Sequence, residues 1–156
     1  MALRTLWPVA LVAGIAAGCT PGAPSAPSLG QQAATSVIVG ESITKYGQMS
    51  SAFGMVGGFN PTLVLVAHGT PIQFHNEDSF NHTATGISGA AFPGGNPIPS
   101  TALSPSQTSD VSQAGWSSGV LTGGSFSKTF STSAVGQYLF GCFYHYPTMR
   151  GVIIVQ

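Results

Sequence analysis

Hydrophobic residues along this chain recur in short runs that turn residues separate, and no segment has a convincing helical period. The run 62–67 is continuously apolar, whereas 71–76 alternates apolar and polar positions, as a strand with one buried face does. We predict further strands over the runs 36–39, 82–87, 125–130, 137–140 and 152–155. Short strands at this spacing indicate an all-β protein, an antiparallel sandwich or barrel.

Two stretches do not follow this pattern. Segment 46–59 is rich in Gly, Ser and Met and is compatible with a strand, a short helix or a loop. Residues 88–118 are rich in Pro and Ser, and a loop of that length is unusual inside a compact domain. Because this loop carries four large apolar side chains, we expect it to pack partly onto the domain; they are Phe92, Ile98, Leu103 and Trp116.

The N-terminal end of the chain has the pattern of an export signal. Arg4 precedes an apolar run over 9–17 that is too short to span a bilayer comfortably. The following Ala16-Ala17-Gly18-Cys19 resembles a bacterial lipoprotein processing site, with Cys19 as the residue that receives lipid; ordinary secretion is the alternative. We predict a signal peptide over 1–18 and an exported protein, periplasmic or at the cell surface.

Composition divides the remainder into a tether and one domain. Residues 19–35 are Pro, Ser and small residues, which bury too little apolar area to fold. Residues 36–156 suit a single domain with a sizeable core. The chain holds four Lys and Arg against four Asp and Glu, without a basic patch, so we expect no nucleic-acid binding. With few carboxylates to protonate, we expect tolerance of acid pH.

A cysteine, a histidine and a methionine share one short loop near the C-terminus, at Cys142, His145 and Met149. Alternation along 138–142 places the Cys142 sulfur on the same strand face as two aromatic residues, and therefore in the core. A buried thiolate is costly unless a cation compensates its charge. Two imidazoles, a thiolate and a weak axial thioether are the ligands of copper electron-transfer sites. His82 can supply the second imidazole.

These segments resemble the cupredoxin family, the small blue copper proteins. The run 74–78, followed by Asn81-His82-Thr83, is similar to the segment that delivers the family's first histidine ligand. Gly136-Gln137-Tyr138 and the run 141–151 are similar to the family's C-terminal ligand loop. The resemblance implies a cupredoxin-like Greek-key β-sandwich or barrel that binds one type 1 copper ion. By position, its metal ligands are His82, Cys142 and His145, with Met149 as the weak axial ligand.

The ligand loop departs from the family in length, because three residues separate His145 from Met149, where the plastocyanin pattern has four and the amicyanin pattern two. The resemblance also implies that the residue after the first histidine, Thr83, ties the two ligand loops together. We expect Asp78 both to form the preceding turn and to contribute hydrogen bonds near the metal.

Two further histidines are alternative ligands to His82. His68 lies in a predicted turn and should be exposed to solvent. His75 alternates away from its apolar neighbour on the strand and should face outward or pack at an edge. Two methionines, Met49 and Met55, hint at a second soft metal site.

The resulting functional expectation is a lipid-anchored, monomeric copper protein that carries single electrons between redox protein partners of the cytochrome or oxidase type. Electrons would pass through the edge of His145, within an apolar patch of Tyr144, Tyr146 and Pro147. The alternative is a copper-handling lipoprotein, for chaperoning or storage. An enzyme is not expected, because copper oxidases and nitrite reductases of the family use additional histidines. A structural alternative joins Cys19 and Cys142 as a disulfide.

Overall fold

The structure, a computed structural model, describes residues 35–156. The predicted signal peptide, lipid-anchor cysteine and nearly all of the tether lie outside the described residues. Within them are nine strands and a short 3₁₀ helix at Ser100–Leu103. The strands are β1 Val37–Glu41, β2 Met49–Ser51, β3 Gly54–Val56, β4 Phe59–Asn60, β5 Leu63–Val66, β6 Ile72–Asn76, β7 Thr85–Ile87, β8 Gly136–Gly141 and β9 Arg150–Val155. Segment 46–59, ambiguous in sequence, therefore forms three short strands.

The strands form two main sheets and a hairpin. The first sheet has the order β4-β1-β6, the second has the order β5-β9-β8-β7, and β2 pairs with β3. The prediction of an antiparallel arrangement is wrong for two pairs, since β1–β6 and β5–β9 are parallel. In both cases other strands lie between the partners in sequence, which gives the chain the length that a parallel crossover needs.

The two main sheets pack face to face around an apolar core. Phe74 of β6 stacks on Trp116 with ring centroids 5.7 Å apart, and Phe59 meets Phe140 of β8 edge-on at 4.6 Å. Side chains from both sheets complete this core, among them Val39, Val64 and Ile153, together with Phe130, which forms a bridge to Ile72. The prediction of an all-β sandwich is confirmed.

The outer face of the second sheet carries a second apolar cluster. Ile87, Leu139 and Val152 project from the sheet, and Val56 of the β2–β3 hairpin covers them. Ile98 and Ala102, from the long 88–118 segment, are buried in the same cluster. With Trp116 buried in the core and Phe92 and Leu103 half-buried, the expected packing of this segment is confirmed.

The prediction of a regular strand over 125–130 is wrong, because only isolated bridges join this segment to β6. Ile72 pairs with Phe130, but His75 pairs with Phe126, so the register shifts by one residue between the two bridges. The Ser127 hydroxyl accepts the Phe74 N–H at 2.9 Å, where a regular ladder would use a backbone carbonyl. The run 82–87 is likewise shorter than predicted, since only Thr85–Ile87 is strand.

Candidate metal centre

Cys142 lies directly after β8, and its side chain is fully buried beside Phe140 as the alternation predicts. Burial raises the pKa of the Cys142 thiol, against the smaller effect of backbone N–H groups, of which the one on Thr83 lies 3.4 Å from the sulfur. The thiolate therefore needs a compensating positive charge in this place. Cys142 is a free thiol in the structure, and Cys19 of the alternative disulfide lies outside the described residues.

Backbone hydrogen bonds fold the residues after Cys142 into a closed loop. The Met149 N–H donates to the His145 carbonyl at 2.9 Å, and the Cys142 N–H donates to the Met149 carbonyl at 3.1 Å. The chain then resumes as β9 at Arg150, which pairs with Gly141. Because both ends of the loop are fixed by the β8–β9 ladder, Cys142, His145 and Met149 are held on one side of the molecule.

His82 lies shortly before β7, which pairs with β8, and its ring therefore comes close to Cys142 and His145. Its Nδ1 atom lies 3.7 Å from the Cys142 Sγ and 3.1 Å from the His145 Nδ1. The His145 Nδ1 lies 3.5 Å from the same sulfur. Among the described residues, these three are the group whose histidine, cysteine and acidic ligand atoms converge, all within 4.8 Å of one another.

The donor set fits one transition-metal ion. Bonds to imidazole nitrogen and thiolate sulfur are about 2.0 to 2.3 Å long, so a single ion reaches atoms that lie 3.1 to 3.7 Å apart. Two imidazoles and one thiolate are the strong ligands of type 1 copper sites. The residues present therefore suit copper, and the pairwise distances between them need no rearrangement.

Met149 is completely buried in the same apolar cluster as Cys142. Gly58 makes room for it, because a Cβ atom on Gly58 would come within 2.5 Å of the Met149 Cγ. Gly58 also has a φ of +73°, which side chains rarely tolerate. A thioether fixed in this way beside the cysteine is placed to serve as the weak fourth ligand, which remains a prediction.

Among the three converging ligands, His145 alone reaches the surface. Partial burial, and then the neighbouring His82, lower the pKa of His145. The Phe80 ring lies edge-on to both imidazoles, with centroids 5.1 Å from His82 and 5.5 Å from His145. Sequence reasoning missed Phe80, which is 39% exposed; its position two residues before His82 was the available signal.

Thr83 joins the two ligand segments, as the resemblance implied. Its hydroxyl accepts the Phe143 N–H at 2.9 Å, while its own N–H points at the Cys142 sulfur at 3.4 Å. One residue thus contacts the backbone of the C-terminal loop and the sulfur of the cysteine. Both contacts join protein atoms of the two ligand segments directly, so Thr83 fixes the spacing between them.

Asp78 contacts the His82 ring nitrogen that faces away from Cys142. Its Oδ2 atom lies 2.9 Å from the His82 Nε2, and both side chains are almost completely buried. Burial alone would raise the pKa of Asp78, but hydrogen bonds from Thr44, Ser42, His82 and the Ile43 N–H together hold it well below its usual range. Asp78 is therefore a buried anion that contacts a candidate ligand.

The other candidate residues lie elsewhere. His68 is exposed, with Nε2 2.8 Å from the Ser133 carbonyl, and His75 stacks on the Phe126 ring at 4.1 Å. Neither belongs to the converging group. Met49 pairs with Val56, whereas Met55 pairs with Ser50, so the two methionines project from opposite faces of the hairpin. They do not form a joint soft site.

The 88–118 segment packs against the ligand loop between Cys142 and Met149. Asn96 donates to the Phe143 carbonyl at 2.9 Å, and the Tyr146 hydroxyl donates to the Pro93 carbonyl. The Arg150 guanidinium lies over the Phe92 ring at 4.9 Å and over the Tyr146 ring at 5.4 Å. Tyr146 is therefore turned toward this segment rather than toward His145.

Among known proteins, this chain is similar to several solved structures. No protein-family model matches the chain, and no curated protein matches it significantly. A reduced amicyanin mutant is 14% identical over 78% of this chain and 82% of that chain, with a TM-score of 0.49. A purple cupredoxin from Nitrosopumilus maritimus is 16% identical over 76% and 98%, with a TM-score of 0.47. Because these scores lie below 0.5, we base the function on this chain's own residues.

No helix among residues 35–156 is long and apolar enough to cross a membrane.

Proposed function

We propose that this chain is an exported, mononuclear type 1 copper protein of the cupredoxin kind that carries single electrons between redox partners. The observation that carries the proposal is the convergence of the Cys142 sulfur with the Nδ1 atoms of His82 and His145. Cys142 and His82 are fully buried, so a thiolate in this place is stable only beside a cation. Two imidazoles and a thiolate, with the buried Met149 thioether as a weak fourth ligand, are the donor set of blue copper electron-transfer sites.

Copper bound at this site would supply a one-electron Cu(II)/Cu(I) couple. The chain's own residues fix the positions of the ligands and exclude water from the site. Thr83 fixes the separation of the two ligand segments, and Asp78 fixes the His82 ring. Protein hydrogen bonds that do not involve a metal keep the ligand positions similar in both redox states. Apolar side chains near the sulfur, such as Phe140 and Phe143, disfavour the more highly charged oxidised state and raise the potential.

His145 provides the route for electrons, since its ring reaches the surface while the other two converging ligands do not. Phe80 and Tyr144, which are 39% and 43% exposed, border this ring and offer an apolar contact surface for a redox protein. Tyr146 does not join this surface. With few charged side chains in the whole chain, we expect electrostatic steering to be weak and the transfer rates to depend little on salt.

The rival roles have less support. A copper chaperone or store would gain from a second soft site, but Met49 and Met55 lie on opposite faces of their hairpin. An enzyme of this kind would need further histidines at the metal, and His68 and His75 lie outside the converging group. We propose a carrier that is not an enzyme, anchored outside the cytoplasm through lipid on Cys19.

The visible absorption spectrum of the purified full chain after addition of Cu(II) tests this function. We expect an intense blue or green thiolate-to-copper band that disappears in Cys142→Ser. Cys19→Ser is the matched control, because it removes the other of the two cysteines and should leave the band intact. A faint band that Cys142→Ser does not change would mean that Cys142 is not a ligand, and the electron-carrier function would fail.

A further inference from the structure

The His82 ring is held at both nitrogens. Nδ1 faces the converging group, 3.7 Å from the Cys142 sulfur, whereas Nε2 faces the Asp78 carboxylate at 2.9 Å. An ionised carboxylate only accepts hydrogen bonds, so Nε2 must carry the proton of a neutral ring. Nδ1 then keeps its lone pair, directed toward the position where a metal would bind. The contact with Asp78 therefore decides which nitrogen is available to the metal.

Protein donors hold the Asp78 carboxylate in place, and both of its oxygens accept hydrogen bonds that stabilise the anionic form. Oδ1 accepts hydrogen bonds from Ser42 Oγ at 2.7 Å and Thr44 Oγ1 at 2.5 Å. Oδ2 accepts from the Ile43 N–H at 2.9 Å in addition to His82. These donors come from the turn after β1, more than 30 residues away in sequence. The carboxylate cannot swing away from His82 without breaking bonds to this turn.

The backbone around Asp78 is equally restricted. The Asp78 N–H donates to the Asn76 Oδ1 at 2.9 Å, which forms an Asx turn. The Asn76 amide then donates to the Phe80 carbonyl at 2.7 Å and to the Leu121 carbonyl at 2.7 Å. Asn76 is fully buried. The turn that carries Asp78 therefore has a fixed path up to His82.

From this geometry we propose that Asp78 is a positioning residue that fixes the His82 tautomer and ring orientation and adds negative charge behind the metal site. The proposal rests on the proposed function, because it assigns His82 as a metal ligand. A carboxylate hydrogen-bonded to a ligand histidine makes the imidazole a stronger donor, and loss of such a partner costs 10- to 100-fold in metal affinity. The added negative charge favours the more highly charged oxidised metal, and so lowers the reduction potential.

The test uses two Asp78 variants and a matched control. Asp78→Asn keeps the shape and an acceptor for the His82 Nε2–H but removes the charge, whereas Asp78→Ala removes both. Asp110→Asn is the control, because Asp110 has the same 7% exposure as Asp78 and also accepts hydrogen bonds from serine hydroxyls. Its hydroxyl partners, Ser112 and Ser131, are not candidate metal ligands, whereas Asp78 contacts His82.

Two measurements are made on the full chain. The first is nitrogen-15 NMR of the histidine rings without copper, which reads the tautomer directly. We expect the Nε2–H tautomer of His82 in wild type, Asp78→Asn and Asp110→Asn, and its loss in Asp78→Ala. The second is copper affinity and reduction potential. We expect about 10- to 100-fold weaker copper binding in Asp78→Ala, a raised potential in Asp78→Asn, and wild-type values in Asp110→Asn.

An unchanged His82 tautomer in Asp78→Ala, together with an unchanged potential in Asp78→Asn, would overturn the proposal. Failure of the proposed function gives a different result. If the copper band were absent while the tautomer without copper still depended on Asp78, the positioning role would be supported and the type 1 site rejected.

Discussion

Two buried carboxyl groups, Glu41 and Asp78, lie at the same end of the paired strands β1 and β6, and they have opposite chemistry. Asp78 is 7% exposed and accepts four hydrogen bonds, from Ser42, Ile43, Thr44 and His82. Glu41, at the end of β1, is completely buried, and neither of its oxygens has a hydrogen-bond partner. Hydrogen bonds keep the pKa of Asp78 well below its usual range, whereas burial raises the pKa of Glu41 to about 8.

The difference teaches that burial alone does not set the charge of an acid. Donors directed at the Asp78 oxygens replace water, so the anion persists in the interior. Glu41 faces the apolar core without such donors and stays neutral at neutral pH. One carboxyl can therefore serve His82 as an anion, while the other avoids placing a second negative charge near the Cys142 sulfur.

The largest expected effect follows from the raised pKa of Glu41. The unfolded chain releases this proton near pH 4.5, but the folded chain keeps it up to pH of about 8. The contribution of Glu41 to stability is therefore greatest below pH 4.5 and is lost as the pH rises toward and through 8, by about 4 kcal/mol at pH 8. We expect Glu41→Leu to remove this loss and to be more stable than wild type at pH 8, as measured by urea unfolding at pH 4 and 8.

Glu41→Gln separates ionisation from burial of a polar group. It should also lose the pH dependence between pH 4.5 and 8, yet gain less stability than Glu41→Leu because its amide remains unpartnered. Identical pH slopes in wild type and Glu41→Leu would show that Glu41 does not titrate in this range.

Removal of the other carboxyl should have the opposite sign. Asp78→Ala leaves the Ile43 N–H and the hydroxyls of Ser42 and Thr44 without their acceptor. We expect a loss of about 3 kcal/mol in the free energy of unfolding at pH 7 without copper. Ser42→Ala, which deletes one donor, should cost about 1 kcal/mol. A stabilised Asp78→Ala would remove the contrast between the two carboxyls.

Among the three buried carboxyl groups, Asp110 has the smallest expected effect, and that effect appears in acid. Burial raises the pKa of Asp110, but hydrogen bonds from Ser112, Ser133 and Ser131 outweigh it and lower the value to about 2. This group contributes about 2 kcal/mol above pH 4, and the contribution is lost as the pH falls through 2. We expect Asp110→Asn to be less stable than wild type at pH 7 and to converge with it near pH 2 in urea unfolding.

Together, the Glu41 and Asp110 effects predict maximal stability in moderately acid solution. A stability maximum above pH 7 in wild type would contradict this prediction. The tolerance of acid pH expected from the scarcity of carboxylates stays a prediction. The same urea series, measured on the full chain without copper, provides the measurement.

Much of the site could be predicted from the sequence. The spacing of Cys142, His145 and Met149 and the strand alternation before them are local, and local patterns determine which face a side chain takes. Predicting His82 and Thr83 required the family resemblance, since no local pattern pairs them with a loop about 60 residues away. The orientation of Tyr146 was missed because it depends on the packing of 88–118. Phe80 was missed because its contacts with both imidazoles form only where the two ligand segments meet.

The sequence by itself determined the all-β class, most strand positions and the ligand types. Period-two alternation depends only on neighbouring residues, and the donor chemistry of a side chain depends only on its residue type. Tertiary structure alone decided the parallel pairs, the bulged pairing of 125–130 and the opposite states of Asp78 and Glu41. Both are acidic residues beside an apolar strand in sequence. Only the folded chain directs four donors at one and none at the other, and a carboxyl's charge in the interior depends on those donors.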